Sequence, residues 1–300
     1  EAYNRTTNFW NATPAVIQRD VRAAALMLQA GLLEKLGQVD PALQIYERML
    51  TEDLPAGQRP VALRQYVDLG LKHKSVAETA QRLEAFINAH PQADGLDALR
   101  LTLGELRFRE FGVARGNGVN LPPDRVTQVT NLLAQARTQF ELLLTNHPQS
   151  ALVGRAQLNR GWCFWEEGTN RLTDSLAAFR DASARLPVSL EQATARFKWA
   201  DCQLLLADAP GAVSNYWLVA TNYAPVLGPT NALVAQALYQ IVRAGVDTGE
   251  TGTATNALQL LLKSDPDGSF ADRAELMVGQ AFARLAQPQA ARTVYEDLTR

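Results

Sequence analysis

The chain has 300 residues, of which 29 are basic and 31 acidic, so its formal charge is −2. This near-neutral balance favours neither a nucleic-acid-coating surface nor a field that steers polyanions. Alanine (46) and leucine (43) dominate while aromatic residues make up 7%, a composition that favours helices and argues against a sheet-based enzyme fold. Two cysteines cannot form a disulfide scaffold, and every apolar run is far shorter than the ~18 residues of a membrane span.

A two-helix unit recurs along the chain. In its second helix a small residue is followed four positions later by an aromatic residue or leucine, then by another apolar residue, and usually by a closing proline. The small residues are Ala42, Thr79, Ala136, Ser175, Ala212, Ala254 and Ala291. The large residues are Tyr46, Leu83, Phe140, Phe179, Tyr216, Leu258 and Tyr295. The closing prolines, which should stop each second helix, are Pro55, Pro91, Pro148, Pro187, Pro225 and Pro266.

The spacing of the large residues predicts the architecture. Successive intervals are 37, 57, 39, 37, 42 and 37 positions, and all but one fall in the range of ~34 to 47 that is typical of helix-hairpin repeats. The long interval contains a glycine-, asparagine- and proline-rich stretch, which predicts a loop insertion at 112–125. We therefore expect an all-α, right-handed superhelix of about seven hairpins, a single solenoid over 1–300 with 1–19 as an irregular lead-in.

Three helix starts can be placed from capping residues. Asp40, directly before a proline, predicts an N-cap carboxylate followed by proline at the first helical position. Ser75 with Glu78, and Ser189 with Gln192, have the spacing of a capping box, in which the cap and the third helical residue satisfy each other's free amides.

These hairpins resemble the tetratricopeptide repeat family. The fit is best where Leu36 and Gly37 lead into Ala42 and Tyr46, and it covers about residues 20–300. Some units depart from the family pattern, because Thr or Ser replaces the expected alanine in two of them. The resemblance implies a non-catalytic superhelix whose concave face binds peptides or partner proteins.

The unit endings AHPQAD and NHPQS further resemble bacterial cell-envelope members of that family. These include the periplasmic proteins associated with the Tol-Pal system and the lipoprotein of outer-membrane protein assembly. This finer resemblance implies a periplasmic or outer-membrane-associated location in preference to the cytoplasm.

Aromatic residues are concentrated in the first helices of two neighbouring hairpins. Trp162, Phe164 and Trp165 lie in one, and Trp199 lies in the next. Aromatic residues at helical spacing usually belong to the core. Three rings from one short segment cannot all enter one narrow space between helices, however, so at least one is expected to line the groove as a peptide anchor. Trp162, Trp165 and Trp199 are therefore the candidate partner-binding residues.

A second candidate set is formed by arginines beside the insertion, chiefly Arg107, Arg109 and Arg115. Their planar guanidinium groups could bind an acidic peptide or a C-terminal carboxylate. Glu105 and Glu110 are interleaved with them, so the alternative is a solvated helix face that is neutralised by its own ion pairs.

No residue pattern in the sequence indicates catalysis, a cofactor or a metal. His90 and His147 each precede a closing proline, where the imidazole can bond the last carbonyls of a helix. Cys163 and Cys202 are 39 positions apart, about one repeat, and equivalent positions in neighbouring repeats are too far apart for a disulfide. Both thiols are expected to fill crowded helix crossings.

The sequence thus predicts a non-catalytic scaffold or adaptor of the bacterial envelope, which binds a protein or peptide and no nucleic acid. The alternative is the α-solenoid portion of a larger enzyme, similar to that of the soluble lytic transglycosylases. The chain lacks an initial methionine and stops inside a predicted helix, so we expect a piece of a longer protein. Self-association through open solenoid ends is a further expectation, because Val294 and Leu298 would be exposed in the last unit.

Overall fold

The computed structural model describes residues 14–298 except residue 56 and the segments 117–121, 229–230 and 266–267. The described residues are almost entirely helical and include no strand, which confirms the all-α class. The chain divides into two compact units, Glu1–Leu152 and Val153–Arg300. That the repeats form one continuous solenoid stays a prediction.

The first unit contains three helix hairpins within its described residues. Its helices are α1 (Ala15–Lys35), α2 (Val39–Thr51), α3 (Gln58–His73), α4 (Val76–Ala89), α5 (Leu96–Arg115) and α6 (Pro123–Asn146). The hairpins are α1 with α2, α3 with α4, and α5 with α6, and each also packs against the next. One apolar core runs through α1 to α5.

The second unit contains four hairpins within its described residues. Its helices are α7 (Val153–Glu167), α8 (Leu172–Arg185), α9 (Leu190–Leu205), α10 (Ala209–Leu218), α11 (Ala224–Leu227), α12 (Ala232–Thr248), α13 (Thr251–Ser264), α14 (Ala271–Arg284) and α15 (Pro288–Leu298). A 3-10 turn (Thr169–Arg171) precedes α8, and a π-helical turn (Val219–Tyr223) joins α10 to α11. The seven described hairpins match the expected number.

The repeated small and large residues form the core as predicted. All seven small residues are buried, and six of the seven large ones are at most 4% exposed; Tyr295 is half-buried. The large side chain of the second helix packs on a glycine of the first. A Cβ added to Gly104 would lie 2.4 Å from the Phe140 ring, and one added to Gly161 would lie 2.7 Å from Phe179. The glycines therefore permit the two helices to approach closely.

In two repeats threonine or serine replaces the small alanine, and each of these side chains has a local hydrogen bond that explains the replacement. The Ser175 hydroxyl donates to the Gly161 carbonyl at 3.0 Å, and the Thr79 hydroxyl donates to the Ser75 carbonyl at 2.9 Å. Each buried hydroxyl is thus hydrogen-bonded, which removes the cost of placing a polar atom in the core.

The segments predicted as an insertion and a lead-in are helical over part of their described residues. Helix α5 continues to Arg115 and α6 begins at Pro123, so both ends of the 112–125 segment are helical, and 117–121 lie outside the described residues. The extra chain length mainly extends these two helices, because a proline is well accepted at a helix start. The lead-in also becomes helical from Ala15.

Two of the cap predictions need correction. Helix α2 begins at Val39, so Asp40 lies in the first turn and is not the N-cap. The capping box of Ser75 and Glu78 is confirmed. Ser189 accepts from the Gln192 amide, but the Gln192 side chain donates to the Ser183 and Leu186 carbonyls, which leaves the box half made.

The prediction that Pro225 stops its helix is wrong. Pro225 lies inside α11, directly after the π-helical turn. From its small residue to its proline that repeat spans 13 positions, as the first repeat does, whereas the other four span 12. A π-helical turn accommodates one extra residue within a helix. Pro55, Pro91, Pro148 and Pro187 do follow helix ends, whereas Pro266 lies outside the described residues.

The end of the last hairpin differs from the expectation of an open face. Val294 is half-buried and packs against the core of the second unit. The side chain of Leu298 lies outside the described residues.

Candidate partner-binding site

The candidate site of the second unit is centred on a lysine that the sequence did not single out. Lys198 of α9 places its Nζ atom 4.2 Å from the centre of the Trp165 ring and 5.0 Å from that of Trp162. Both tryptophans project from α7 and are half-buried. An ammonium group within ~6 Å of an aromatic face is attracted by the ring quadrupole, so the lysine holds α7 and α9 together at this surface.

A carboxylate fixes the lysine from the other side. Lys198 Nζ lies 2.8 Å from Asp201 Oδ2, and the two side chains are only 18% and 13% exposed. The Tyr216 hydroxyl of α10 donates to Asp201 Oδ1 at 2.5 Å. Burial and then the Asp201 carboxylate raise the pKa of the Tyr216 phenol, so it remains a neutral donor. The cation and carboxylate of α9 and the phenol of α10 therefore form one continuous network, which the two indole rings of α7 contact through Lys198.

The tryptophans rest on a rigid base. The Trp162 ring meets the Phe179 ring edge to face, with centres 5.5 Å apart and planes at 83°. Phe179 is fully buried against Gly161. Trp162, Trp165 and Trp199 all pack on the same core cluster. We name the group of Trp162, Trp165, Lys198 and Asp201 the tryptophan–lysine site.

Trp199 lies beside a second polar network. The Arg196 guanidinium is 5.5 Å from the Trp199 ring centre and donates to Asn215 Oδ1 at 2.9 Å. Asn215 in turn donates to Gln203 at 2.7 Å. Phe164, the remaining aromatic of the predicted cluster, is buried, and the Arg171 guanidinium lies 4.6 Å from its ring centre.

The three candidate arginines of the first unit differ in accessibility. Arg107 is buried, and its guanidinium lies 2.5 Å from Glu84 and 2.7 Å from Glu110, so it is not presented to a partner. Arg109 is exposed. Arg115 is also exposed, and its guanidinium lies 5.8 Å from the Phe111 ring centre. The ion pair with Glu110 is the one that the sequence offered as the alternative to a binding role.

The cysteines and histidines have structural surroundings. Cys163 and Cys202 are free and buried, and burial raises the pKa of the Cys202 thiol to about 11. The Cys202 Sγ atom lies 3.6 Å from Ser175 Oγ. His90 Nδ1 lies 3.0 Å from the Phe86 carbonyl oxygen, as predicted. Within the described ranges no group of three potential metal ligands occurs.

Sequence reasoning found the tryptophans and missed Lys198 and Asp201. The usable signal was their position about one repeat after Trp162 and Trp165, because equivalent residues of neighbouring first helices lie side by side. Only the structure shows which residue of α9 contacts these rings, because Trp199 lies at nearly the same spacing from them in the chain as Lys198 does.

Two kinds of similarity place this arrangement among known proteins. Residues 24–53 match the family model described as tetratricopeptide repeat. Among solved structures, BtubC (BKLC) from P. vanneervenii superposes with a TM-score of 0.52 and 15% identity over 75% of this chain and 87% of that chain. The apo form of RapI gives 0.51 and 13% over 91% and 74%. A monomeric mutant of IFIT1 with Gppp-AAAA gives 0.50 and 13% over 95% and 56%.

These similarities show the fold. The described hairpins have the fold of tetratricopeptide-like α-hairpin repeat structures. No curated protein matches the sequence. Across the described part of the chain, no helix has the length and apolar character needed to cross a membrane.

Proposed function

We propose that this protein is a non-catalytic scaffold or adaptor that binds a peptide or partner protein on the concave face formed by the first helices of its hairpins. The observation that carries the proposal is the tryptophan–lysine site. Two half-buried indole rings stand at the surface of the second unit, and buried packing fixes their orientation. Large aromatic side chains that are held rigid dominate the energetics of protein interfaces.

The chemistry of the site suits a segment that inserts an apolar side chain between polar contacts. The rings provide apolar area at little cost in side-chain entropy. Lys198 and Asp201 are already paired at 2.8 Å, so a partner would gain orientation from them rather than net charge. An extended or helical peptide with one apolar anchor fits this combination.

We also propose a location in the bacterial cell envelope, in the periplasm or at the outer membrane. The support is the resemblance of the AHPQAD and NHPQS unit endings to envelope proteins of the repeat class. Fractionation of cells that express the tagged full-length protein tests this, and recovery in the cytosolic fraction alone would contradict it.

The partner-binding proposal is tested by affinity capture with matched variants. The wild-type chain, Trp165→Ala and Trp217→Ala would be immobilised and exposed to envelope and cytosolic extracts, with retained proteins identified by mass spectrometry. Trp217 is the control because it is also a half-buried tryptophan of the second unit but packs on a different core cluster. Circular dichroism checks that all three proteins keep the same helicity.

We expect wild type and Trp217→Ala to retain the same small set of proteins, and Trp165→Ala to lose them with an affinity at least about 30-fold weaker. Equal retention by Trp165→Ala would contradict binding at the tryptophan–lysine site. Retention of nothing specific by any variant would contradict the scaffold function.

The α-solenoid portion of a larger enzyme is the second proposal, because helical solenoids also occur beside catalytic domains. The sequence of the gene on both sides of the present chain decides it. A neighbouring domain with its own catalytic motif would support the enzyme alternative, whereas further hairpins or a lipoprotein signal would support the scaffold.

A further inference from the structure

Helix α1 has an apolar stripe on the side that faces away from its own unit. The members of the stripe are strongly exposed: Ile17 49%, Val21 48%, Leu28 70%, Leu32 60% and Leu36 71%. Ala24 and Ala25 are exposed between them. At 100° per residue these side chains share one face, roughly opposite the buried face of the helix. Contiguous apolar patches of this kind mark interaction surfaces.

The orientation of the stripe is fixed by the other side of the helix. Ala23, Leu26 and Ala30 are buried in the core of the first unit. Three ion pairs tie α1 to α2 or its C-terminal end and to α3: Arg19 to Asp53 at 3.2 Å, Arg22 to Glu52 at 3.4 Å, and Glu34 to Lys72 at 2.9 Å. Helix α1 therefore cannot roll to bury its stripe without breaking these contacts.

The stripe is complementary to an inverted copy of itself. When two α1 helices lie antiparallel, Ile17 of one faces Leu36 of the other, and Val21 faces Leu32. In the middle, Ala25 faces Leu28, so a small side chain meets a large one. All three pairs share one centre, between Leu26 and Met27. A two-fold axis at this point would therefore bring all three pairs into contact at once.

The charges beside the stripe fit the same arrangement. Asp20 and Lys35 are exposed, lie along the same edge of the stripe, and have no ion-pair partner among the described residues. In a two-fold antiparallel pair the same edges of the two helices meet. Asp20 of each copy then lies about 3 Å along the axis, or two residues, from Lys35 of the other, an offset that the long lysine side chain can span. Two intermolecular ion pairs would form in the dimer.

We propose that the α1 stripe is the interface of a homodimer, in which two copies of this chain pair antiparallel through α1. The exposed alanines, together with Gly31, whose position has open space around it, let the two helices approach closely. The contact runs about 30 Å along a single helix of each copy and therefore buries less surface than a standard interface. The dissociation constant is therefore expected on the order of 1–100 μM.

The occupant is a second copy rather than a lipid surface for two reasons. Helices that bind in a membrane interface display a basic polar face and aromatic anchors. Here Arg19, Arg22 and Glu34 of α1 form ion pairs with their own unit, and the stripe contains no aromatic residue. The inference does not depend on the tryptophan–lysine site, which lies in the other unit.

The first test measures mass against concentration by sedimentation equilibrium. The chain has a mass of 32.9 kDa, and we expect wild type to approach twice this value in the upper micromolar range. Leu28→Glu should weaken the dimer at least about 100-fold, because it places a carboxylate at the centre of the apolar stripe. Leu205→Glu is the matched control, since Leu205 is also exposed, at 58%, and ends α9; its dimer should equal that of wild type.

The second test exchanges the edge charges. Asp20→Lys and Lys35→Asp should each weaken the dimer about 3- to 10-fold, because each replaces two ion pairs with two like-charge contacts. The double variant restores both pairs with reversed sign and should return to within about twofold of wild type.

Three results would overturn the proposal. One is a monomeric mass for wild type at every concentration. Another is a dimer that Leu28→Glu leaves intact, which would place the interface elsewhere, for example at the last hairpin. The third is a monomer whose α1 binds phosphatidylcholine vesicles and loses this binding in Leu28→Glu. Failure of the double charge exchange to restore the dimer would contradict the antiparallel register.

Discussion

The α1 stripe and the tryptophan–lysine site are two ways of presenting apolar surface on the same repeat architecture. The stripe consists of aliphatic side chains that are about half to 70% exposed and have no polar group among them. The rings of the second site are half-buried and connected to Lys198, Asp201 and Tyr216 across three helices. One surface is uniformly aliphatic, whereas the other combines aromatic rings with a cation and a carboxylate that are held in place by their contacts.

This difference indicates what each surface can recognise. A uniform aliphatic stripe discriminates poorly by itself, so its specificity must come from its pattern along the helix and from charges at its edge. A site with fixed rings and a paired cation and carboxylate can select a side chain and its orientation. If the stripe pairs two copies, each dimer carries two tryptophan–lysine sites, and a partner with two binding segments would gain avidity.

The largest expected effect is a difference in the free energy of unfolding between removing a buried and removing an exposed apolar side chain. Phe179→Ala removes the fully buried ring beneath Trp162 and should lower the free energy of unfolding of the second unit by about 3–5 kcal/mol. Leu28→Ala, on the exposed stripe, should change the stability of the monomer by less than about 0.5 kcal/mol. Urea unfolding at a concentration below dimer formation measures both, and tryptophan fluorescence reports mainly the second unit, which holds four of the five tryptophans. An equally large loss in Leu28→Ala would show that the stripe is already covered within the monomer.

A smaller loss of stability is expected when the Asp201 carboxylate, which pairs with Lys198, is removed. Asp201→Asn leaves the half-buried Lys198 without its charge partner and should lower the free energy of unfolding by about 2 kcal/mol. Asp20→Asn is the matched change on α1, where the carboxylate has no ion pair within the described residues, and should cost less than about 0.5 kcal/mol. Equal costs in thermal or chemical unfolding would mean that the lysine is not held by Asp201.

The smallest effect is a pH dependence located beneath the tryptophan–lysine site. Burial raises the pKa of the Cys202 thiol from 9.0 to about 11, so between these values the unfolded chain loses a proton that the folded chain keeps. The folded state then binds more protons, and its stability falls as the pH rises through this window.

Cys202→Ala should reduce that slope between pH 9 and 11, although the phenols of Tyr66 and Tyr216, whose pKa values are also raised by burial, add a slope of the same sign above pH 10. Leu28→Ala removes no ionisable group and should keep the wild-type slope. Urea midpoints measured across this pH range provide the comparison. An unchanged slope in Cys202→Ala would show that the thiol does not contribute.

The repeat architecture was accessible from the sequence because its signals are local and recur. The small residue, the large residue four positions later and the spacing of about 37 identified seven second helices. All seven exist, and these residues are buried except Tyr295, which is half-buried. The capping box at Ser75 was found for the same reason, since both partners lie within one helical turn. Each of these features depends on residues close together in the chain.

Only part of the candidate site could be predicted from the sequence. The tryptophans stood out by residue type, but their contact with Lys198 depends on how α7 and α9 pack. The burial of Arg107 depends on Glu84, which lies 23 positions earlier in another helix. The chain remains helical through Pro225 after a π-helical turn, an arrangement that the rule that proline ends a helix does not predict.

By itself, therefore, the sequence determined the class of fold, the number of hairpins and the residues of their cores, because apolar periodicity is a local property that any stack of such hairpins must bury. Only the tertiary structure decided which aromatic rings meet a cation, which arginine is buried and which face of α1 is exposed. These outcomes depend on the angle and rotation at which helices pack, and residues distant in the chain set both.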